Sequence, residues 1–137
     1  MAIFFPSDEW IKKMMDNLNA SSSYLEAAIN WEGDFYFIIE PGGKLKEQVI
    51  LYMDLYHGKC REAFQVNGQK DQLKPVFVLS APIGNWKKVM TKKVDPIQAI
   101  MTGQLRLRGN MSIVMRNVRA AKELVENCTR IDTDFPV

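Results

Sequence analysis

The stretch from Asp95 to Asn127 constrains the fold most, because its signals force a helix, a strand and a second helix in close succession. Asp95-Pro96-Ile97-Gln98 starts a helix: Asp can cap free backbone N–H groups, Pro suits the first helical position, and Gln stands three residues after the cap. Ile97, Ile100 and Met101 give that helix one apolar face, and Gly103 stops it. Leu105 and Leu107 alternate with Arg106 and Arg108, which predicts a strand with one wet face. Gly109-Asn110 then turns the chain into a long helix from Met111 to about Asn127.

The rest of the chain supplies the sheet. Ser7 caps a first helix from Asp8 to about Asn19, with Trp10, Ile11, Met14, Met15 and Leu18 on one face. Ser23 and Glu26 read as a capping box for a second, short helix whose inner face is Leu25, Ala28 and Ile29 and which ends at Gly33. Strands follow at Asp34–Glu40, Gln48–Tyr56, Lys59–Val66 and Val76–Ala81, separated by Pro41-Gly42-Gly43, the His57-Gly58 turn and a polar loop from Asn67 to about Lys74. In the third strand Cys60, Glu62, Phe64 and Val66 are expected on one face. Several strands are apolar on both sides, which predicts that part of each sheet face is covered. Asn85–Lys92 makes a further short helix. The order is α-α-β-β-β-β-α-α-β-α, an α+β domain over residues 1–137.

Composition and motifs narrow the function. A net charge of +2 with basic residues dispersed among acids excludes a strongly basic nucleic-acid binder. Cys60 and Cys128 are far apart and outside any Cys-x-x-Cys pair, so neither a disulfide framework nor a zinc site is expected, and the setting is read as cytoplasmic. The N-terminus lacks the basic flank and apolar length of a signal peptide, and no run approaches the roughly 20 apolar residues of a membrane span. His57, the only histidine, sits in a turn without evident partners. There is no Gly-x-Ser-x-Gly elbow and no Gly-x-Gly-x-x-Gly loop, so no metal, organic cofactor or catalytic residue is assigned.

The run from Asp95 through Met111 resembles the signature of the sterol carrier protein type-2 domain family: a Pro before a short helix, an Ala, an apolar pair and a Gly, a Leu-x-Leu strand, then Gly-Asn-Met opening the last helix. The resemblance extends more weakly over the two N-terminal helices, Trp31, Gly33, Trp86 and Val89. The chain departs from the family at Pro75-Val76-Phe77 and at Lys92-Lys93-Val94, and lacks a peroxisomal tripeptide at its end.

That resemblance implies a five-stranded sheet covered on one face by helices, with an apolar tunnel between them. It implies a non-catalytic carrier of a fatty acid, fatty acyl-CoA, sterol-like lipid or phospholipid, touching membrane surfaces transiently as a monomer or homodimer. The expected cavity lining is Trp86 and Met90, then Ile97, Ile100 and Met101, then Leu105 and Leu107, then Met111, Val114, Met115 and Val118. On the last helix the apolar arc spans roughly 220° at about 100° per residue, wider than packing on one surface needs. Its Met111/Met115/Val118 flank is assigned to the cavity and its Ile113/Ala120/Leu124 flank to packed core. Lys87, Lys88, Arg106 and Arg108 are the candidate rim for an anionic head group. The rival readings are an enzyme on an acyl or CoA-linked substrate, with His57, Cys60, Asp54 or Glu62 as its chemical group, and an interaction module with an apolar groove.

Overall fold

A computed structural model describes residues 1–68 and 73–137. The middle of the polar loop expected from Asn67 to Lys74 lies outside the described residues. Helix α1 (Asp8–Asn19) starts as expected: Ser7 Oγ accepts from the Trp10 N–H at 3.0 Å, and Trp10, Ile11, Met14 and Leu18 are buried. In α2 (Ser22–Ala27) the cap is Ser21, accepting from the Tyr24 N–H at 3.1 Å, so the Ser23/Glu26 box does not form. The turn of helix therefore buries Tyr24 and Ala28 and leaves Ile29 exposed.

The main sheet contains β2 (Glu32–Glu40), β3 (Val49–Tyr56), β4 (Lys59–Gln65), β5 (Phe77–Pro82) and β6 (Arg106–Arg108), in the order β4-β3-β2-β5-β6. β2 and β5 are parallel, and the other neighbours are antiparallel. Strand alternation puts Phe35, Phe37 and Ile39 on one face, with Leu51, Met53, Phe77, Leu79 and Leu107 beside them by register. A bulge after Asp54 pairs Leu55 with Cys60 but Asp54 with Glu62. Cys60 and Ala63 thus point inward, whereas Glu62 and Phe64 lie outside opposite Asp54 and Tyr52, which corrects the single face expected for this strand. On the outer face the segment before β5 reaches over the sheet, with the Leu73 N–H on Tyr36 Oη and the Val76 N–H on Asp34.

The helices cover the inner face. α1 packs on β3 and β4, and α3 (Ile83–Met90) packs on β2 and β5. The long last helix expected from Met111 is two helices, α5 (Met111–Arg116) and α6 (Val118–Thr129). Asn117 breaks it at φ −120° and ψ 38°, its side chain donating to the Ile113 carbonyl at 2.7 Å and competing with the backbone ladder. Past that break, α6 packs against α1, α2, α3 and α4 (Pro96–Met101). Two short strands complete the fold: β1 (Ile3–Phe4) pairs in parallel with β7 (Thr133–Asp134) and ties the chain ends together.

One end of the space between sheet and helices is solid. Trp31 stacks on Phe35 and Phe77 with centroids 5.8 and 5.6 Å away, and Phe35 stacks on Phe37 at 5.3 Å. The fully buried Phe77 ring occupies the space a side chain would need at Gly33 and Gly109: a Cβ at either would lie 2.6 Å from it, at φ +154° and +135°. Any internal space must therefore lie away from this aromatic plug.

Candidate functional site

An apolar cavity of about 110 Å³ lies between the sheet and α1, α3 and α6. The sheet gives it a floor of Phe37, Leu51, Met53 and Leu79, the first of these being the last ring of the aromatic stack. α1 contributes Trp10, Ile11 and Met14, with Phe5 edge-on to Trp10 at 4.7 Å. α3 contributes Trp86, Val89 and Met90, and α6 closes the space with Ala121, Leu124, Val125 and Cys128. Along β2 and β5 the neighbours Phe35, Ile39, Phe77 and Ala81 are buried, yet Phe37 and Leu79 are only half-buried. The helices leave the middle of the inner face incompletely covered.

The polar atoms on these walls are already committed. Trp10 Nε1 donates to Thr133 Oγ1 at 3.0 Å, and Trp86 Nε1 donates to the Ile38 carbonyl at 3.1 Å. Burial pushes the Cys128 thiol up to about 12, so it stays neutral at physiological pH. Among the described residues the lining thus presents hydrocarbon, ring faces, thioethers and one neutral thiol. Water gains little in such a space, and an apolar chain gains about 0.8 kcal/mol per buried methylene. Cavities near 150 Å³ with such walls hold one small apolar group. A longer chain needs the walls to move, and Met14, Met53 and Met90 are suited to that because a thioether side chain repacks easily.

Of the residues expected to line the cavity, Trp86 and Met90 do. Ile97 and Leu105 are buried, and Ile100 and Leu107 half-buried, in neighbouring parts of the core. Met101, the last residue of α4, is 70% exposed, while Ile97 and Ala99 are the buried residues of that helix. On the last helices the residues that border this cavity differ from those expected. Met111 and Met115 are exposed, Val114 is buried and Val118 half-buried, all outside the cavity wall. Leu124, expected in packed core, faces the cavity instead. The expected rim is also divided. Arg106 and Arg108 lie on the outer face of the sheet, alternating with Leu107, and Arg106 bridges Glu40 at 2.5 Å. Lys88 is exposed, and Lys87 donates to the Val137 carbonyl at 2.8 Å.

Sequence reasoning missed Phe5, the α1 wall and the α6 wall. The apolar face of α1 was legible, but not what it faces. His57 forms a 2.7 Å hydrogen bond through Nδ1 with the Ile29 carbonyl at the tight turn, remote from the cavity lining. Asp54 is paired with Arg61 on the outer face, where Glu62 also lies, and Cys60, raised to about 12 by burial, contacts the Glu62 carbonyl. Among the described residues no three His, Cys, Asp or Glu side chains gather as a metal site. No described helix is long and apolar enough to cross a membrane.

Comparison with known proteins places this geometry. The profile of the SCP-2 sterol transfer family matches residues 11–122. The chain is similar to a crystal structure of sterol carrier protein 2, at 31% identity and TM-score 0.81, covering 91% of this chain and 97% of that one. It is similar to the solution structure of a conserved hypothetical protein of Thermus thermophilus described as possibly a sterol carrier protein. There the identity is 30% and the TM-score 0.83, over 98% and 92% of the two chains. Sterol carrier protein 2 from Yarrowia lipolytica, in its apo form, shares the fold at 17% identity and TM-score 0.58, over 85% and 87%. No curated protein matches the sequence.

Proposed function

This chain belongs to the SCP-2 sterol transfer family, and from that premise we propose that it binds a lipid with one long apolar chain in the cavity and carries it without chemical change. The observation that supports this most is the lining itself: among the described residues every wall residue is apolar, both indole N–H groups are satisfied elsewhere, and the only ionisable wall group is a thiol held neutral. Acyl-chain burial drives binding, and no cofactor takes part. Among the described residues the walls offer no acid–base pair for the enzymatic alternative. Loading and release take place at a membrane surface by transient contact. Two free thiols support a reducing, cytoplasmic setting.

Titration with a fluorescent acyl probe tests the reading. Binding should saturate at one probe per chain, and competitors should gain up to about fourfold in affinity per added methylene until the cavity is filled. Displacement that does not depend on chain length would refute it.

A further inference from the structure

A second recess opens at the end of the cavity. Met90 and Cys128 line both spaces, so these two side chains form the partition between them. The recess is about 590 Å³ and open to solvent, and it is lined further by Thr91, Thr129, Arg130, Ile131, Asp132, Thr133 and Phe135. Its position is a consequence of the fold. α3 ends at Met90 and α6 ends at Thr129, so two helix C-termini converge there, and β7 closes the side.

Its hydrogen-bonding capacity is one-sided. Thr91 Oγ1 donates to the Lys87 carbonyl at 2.6 Å, Thr129 Oγ1 to the Glu126 carbonyl at 2.6 Å, and Thr133 Oγ1 to the Ile131 carbonyl at 3.1 Å. Each hydroxyl has used its single proton; Thr91 and Thr129 are left able to accept, and Thr133 Oγ1, which already accepts from Trp10 Nε1, keeps one lone pair. Asp132 adds an acceptor, and the helix C-termini add partial negative charge. Arg130 is the one cation among the described lining residues, and its Nη1 already donates to Asn127 Oδ1 at 3.2 Å. Nearby, Lys87 is engaged by the Val137 carbonyl and Lys92 by Glu126. A carboxylate, which only accepts, finds free side-chain donors among the described lining residues on Arg130 alone, and faces the charge of Asp132 and of two helix C-termini. A hydroxyl, which donates, finds several acceptors.

Resting on the carrier reading above, we propose that a bound lipid leaves the cavity between Met90 and Cys128 and places a hydrogen-bond-donating head group, a hydroxyl, in the recess of Thr91, Thr129 and Thr133. The chain therefore selects hydroxyl-ended lipids over free carboxylates of the same length. The hydroxyl belongs equally to a simple long-chain alcohol or to a glycerol monoester, and the partition is the same for both.

The test is displacement of a fluorescent acyl probe at pH 8 by tetradecan-1-ol, its methyl ether, 1-monomyristoylglycerol and tetradecanoate, in wild type and in T91V/T129V. Both threonines are exposed, so the double variant should fold. The alcohol should displace at least tenfold better than the carboxylate and at least threefold better than the ether, which cannot donate. In the variant the advantage over the ether should fall at least threefold, with the affinity of the ether itself unchanged. The monoester matching or exceeding the alcohol identifies a glycerol source, and a weaker monoester identifies the simple alcohol. A carboxylate equal to or better than the alcohol, or an advantage that survives in the variant, overturns the head-group assignment while chain-length-dependent probe binding leaves the carrier reading standing. Absence of saturable probe binding overturns both.

Discussion

Filling the cavity should raise stability and lower affinity together, a combination that ordinary core mutations do not produce. Ala121 lies on α6 with its methyl group on the cavity wall, and A121L adds three carbons there. Those carbons are worth about 2.4 kcal/mol if fully buried, at about 0.8 kcal/mol each. Independently, an empty volume of about 110 Å³ at about 24 cal/mol per Å³ corresponds to about 2.6 kcal/mol. Leucine loses about 0.5–1 kcal/mol of rotamer freedom on burial, so the net gain should be about 1–2 kcal/mol. In a chain of this length that is a rise in Tm of roughly 3–8 °C. The same leucine displaces about two methylenes of a bound chain, which costs about 1.6 kcal/mol or roughly fifteenfold in Kd. Thermal unfolding and acyl-probe titration of the variant measure both. If the space were already packed, A121L would destabilise by about 1–3 kcal/mol through overpacking. That result, or an unchanged Kd beside a raised Tm, would refute the assignment of the cavity.

Met115→Ala, on an exposed position, should change stability by less than about 0.5 kcal/mol and leave probe affinity alone, whereas Leu124→Ala should cost about 2–3 kcal/mol and alter chain-length preference; urea denaturation and the competitor series check both. His57→Ala should leave probe binding intact and cost at most about 1 kcal/mol for one exposed hydrogen bond, and loss of a measurable catalytic activity in it would overturn the carrier reading. Gly33→Ala should cost about 2–4 kcal/mol, since its Cβ would meet the Phe77 ring at 2.6 Å from a positive-φ backbone; denaturant unfolding reads this directly. Cys128 should react with maleimide at pH 8 about a thousandfold more slowly than a free peptide thiol, because only about one thiol in ten thousand is ionised when the pKa is about 12. Bound lipid should slow it further, and labelling followed by mass spectrometry checks the rate.

What could be read from the sequence divides along the range of the interactions. The helix from Pro96, its Asp95 cap and the alternating strand at Leu107 are written in neighbouring residues, and they stand where the spacing put them. Asn117 breaks a helix whose apolar pattern continues through it, since the pattern records which residues are apolar and not where the axis turns. Beyond the break it is Leu124 of α6, not Met115 of α5, that borders the cavity. The bulge at Asp54, which sends Cys60 and Glu62 to opposite faces, is a matter of pairing with another strand. β1 and β7 are two residues each, too short for any periodicity. The α1 wall shows the same limit: Trp10, Ile11 and Met14 form a clear stripe, but only the packing of α6 decides that the stripe borders empty space.

Native mass spectrometry of the purified protein, with organic extraction of whatever is bound, tests the central claim most directly. The account predicts a non-covalent 1:1 adduct of a lipid with one long chain, released by organic solvent and displaced in proportion by added acyl probe. A population of bare chain that neither carries lipid nor takes up the probe, or an adduct that survives denaturation as a covalent bond, would contradict it.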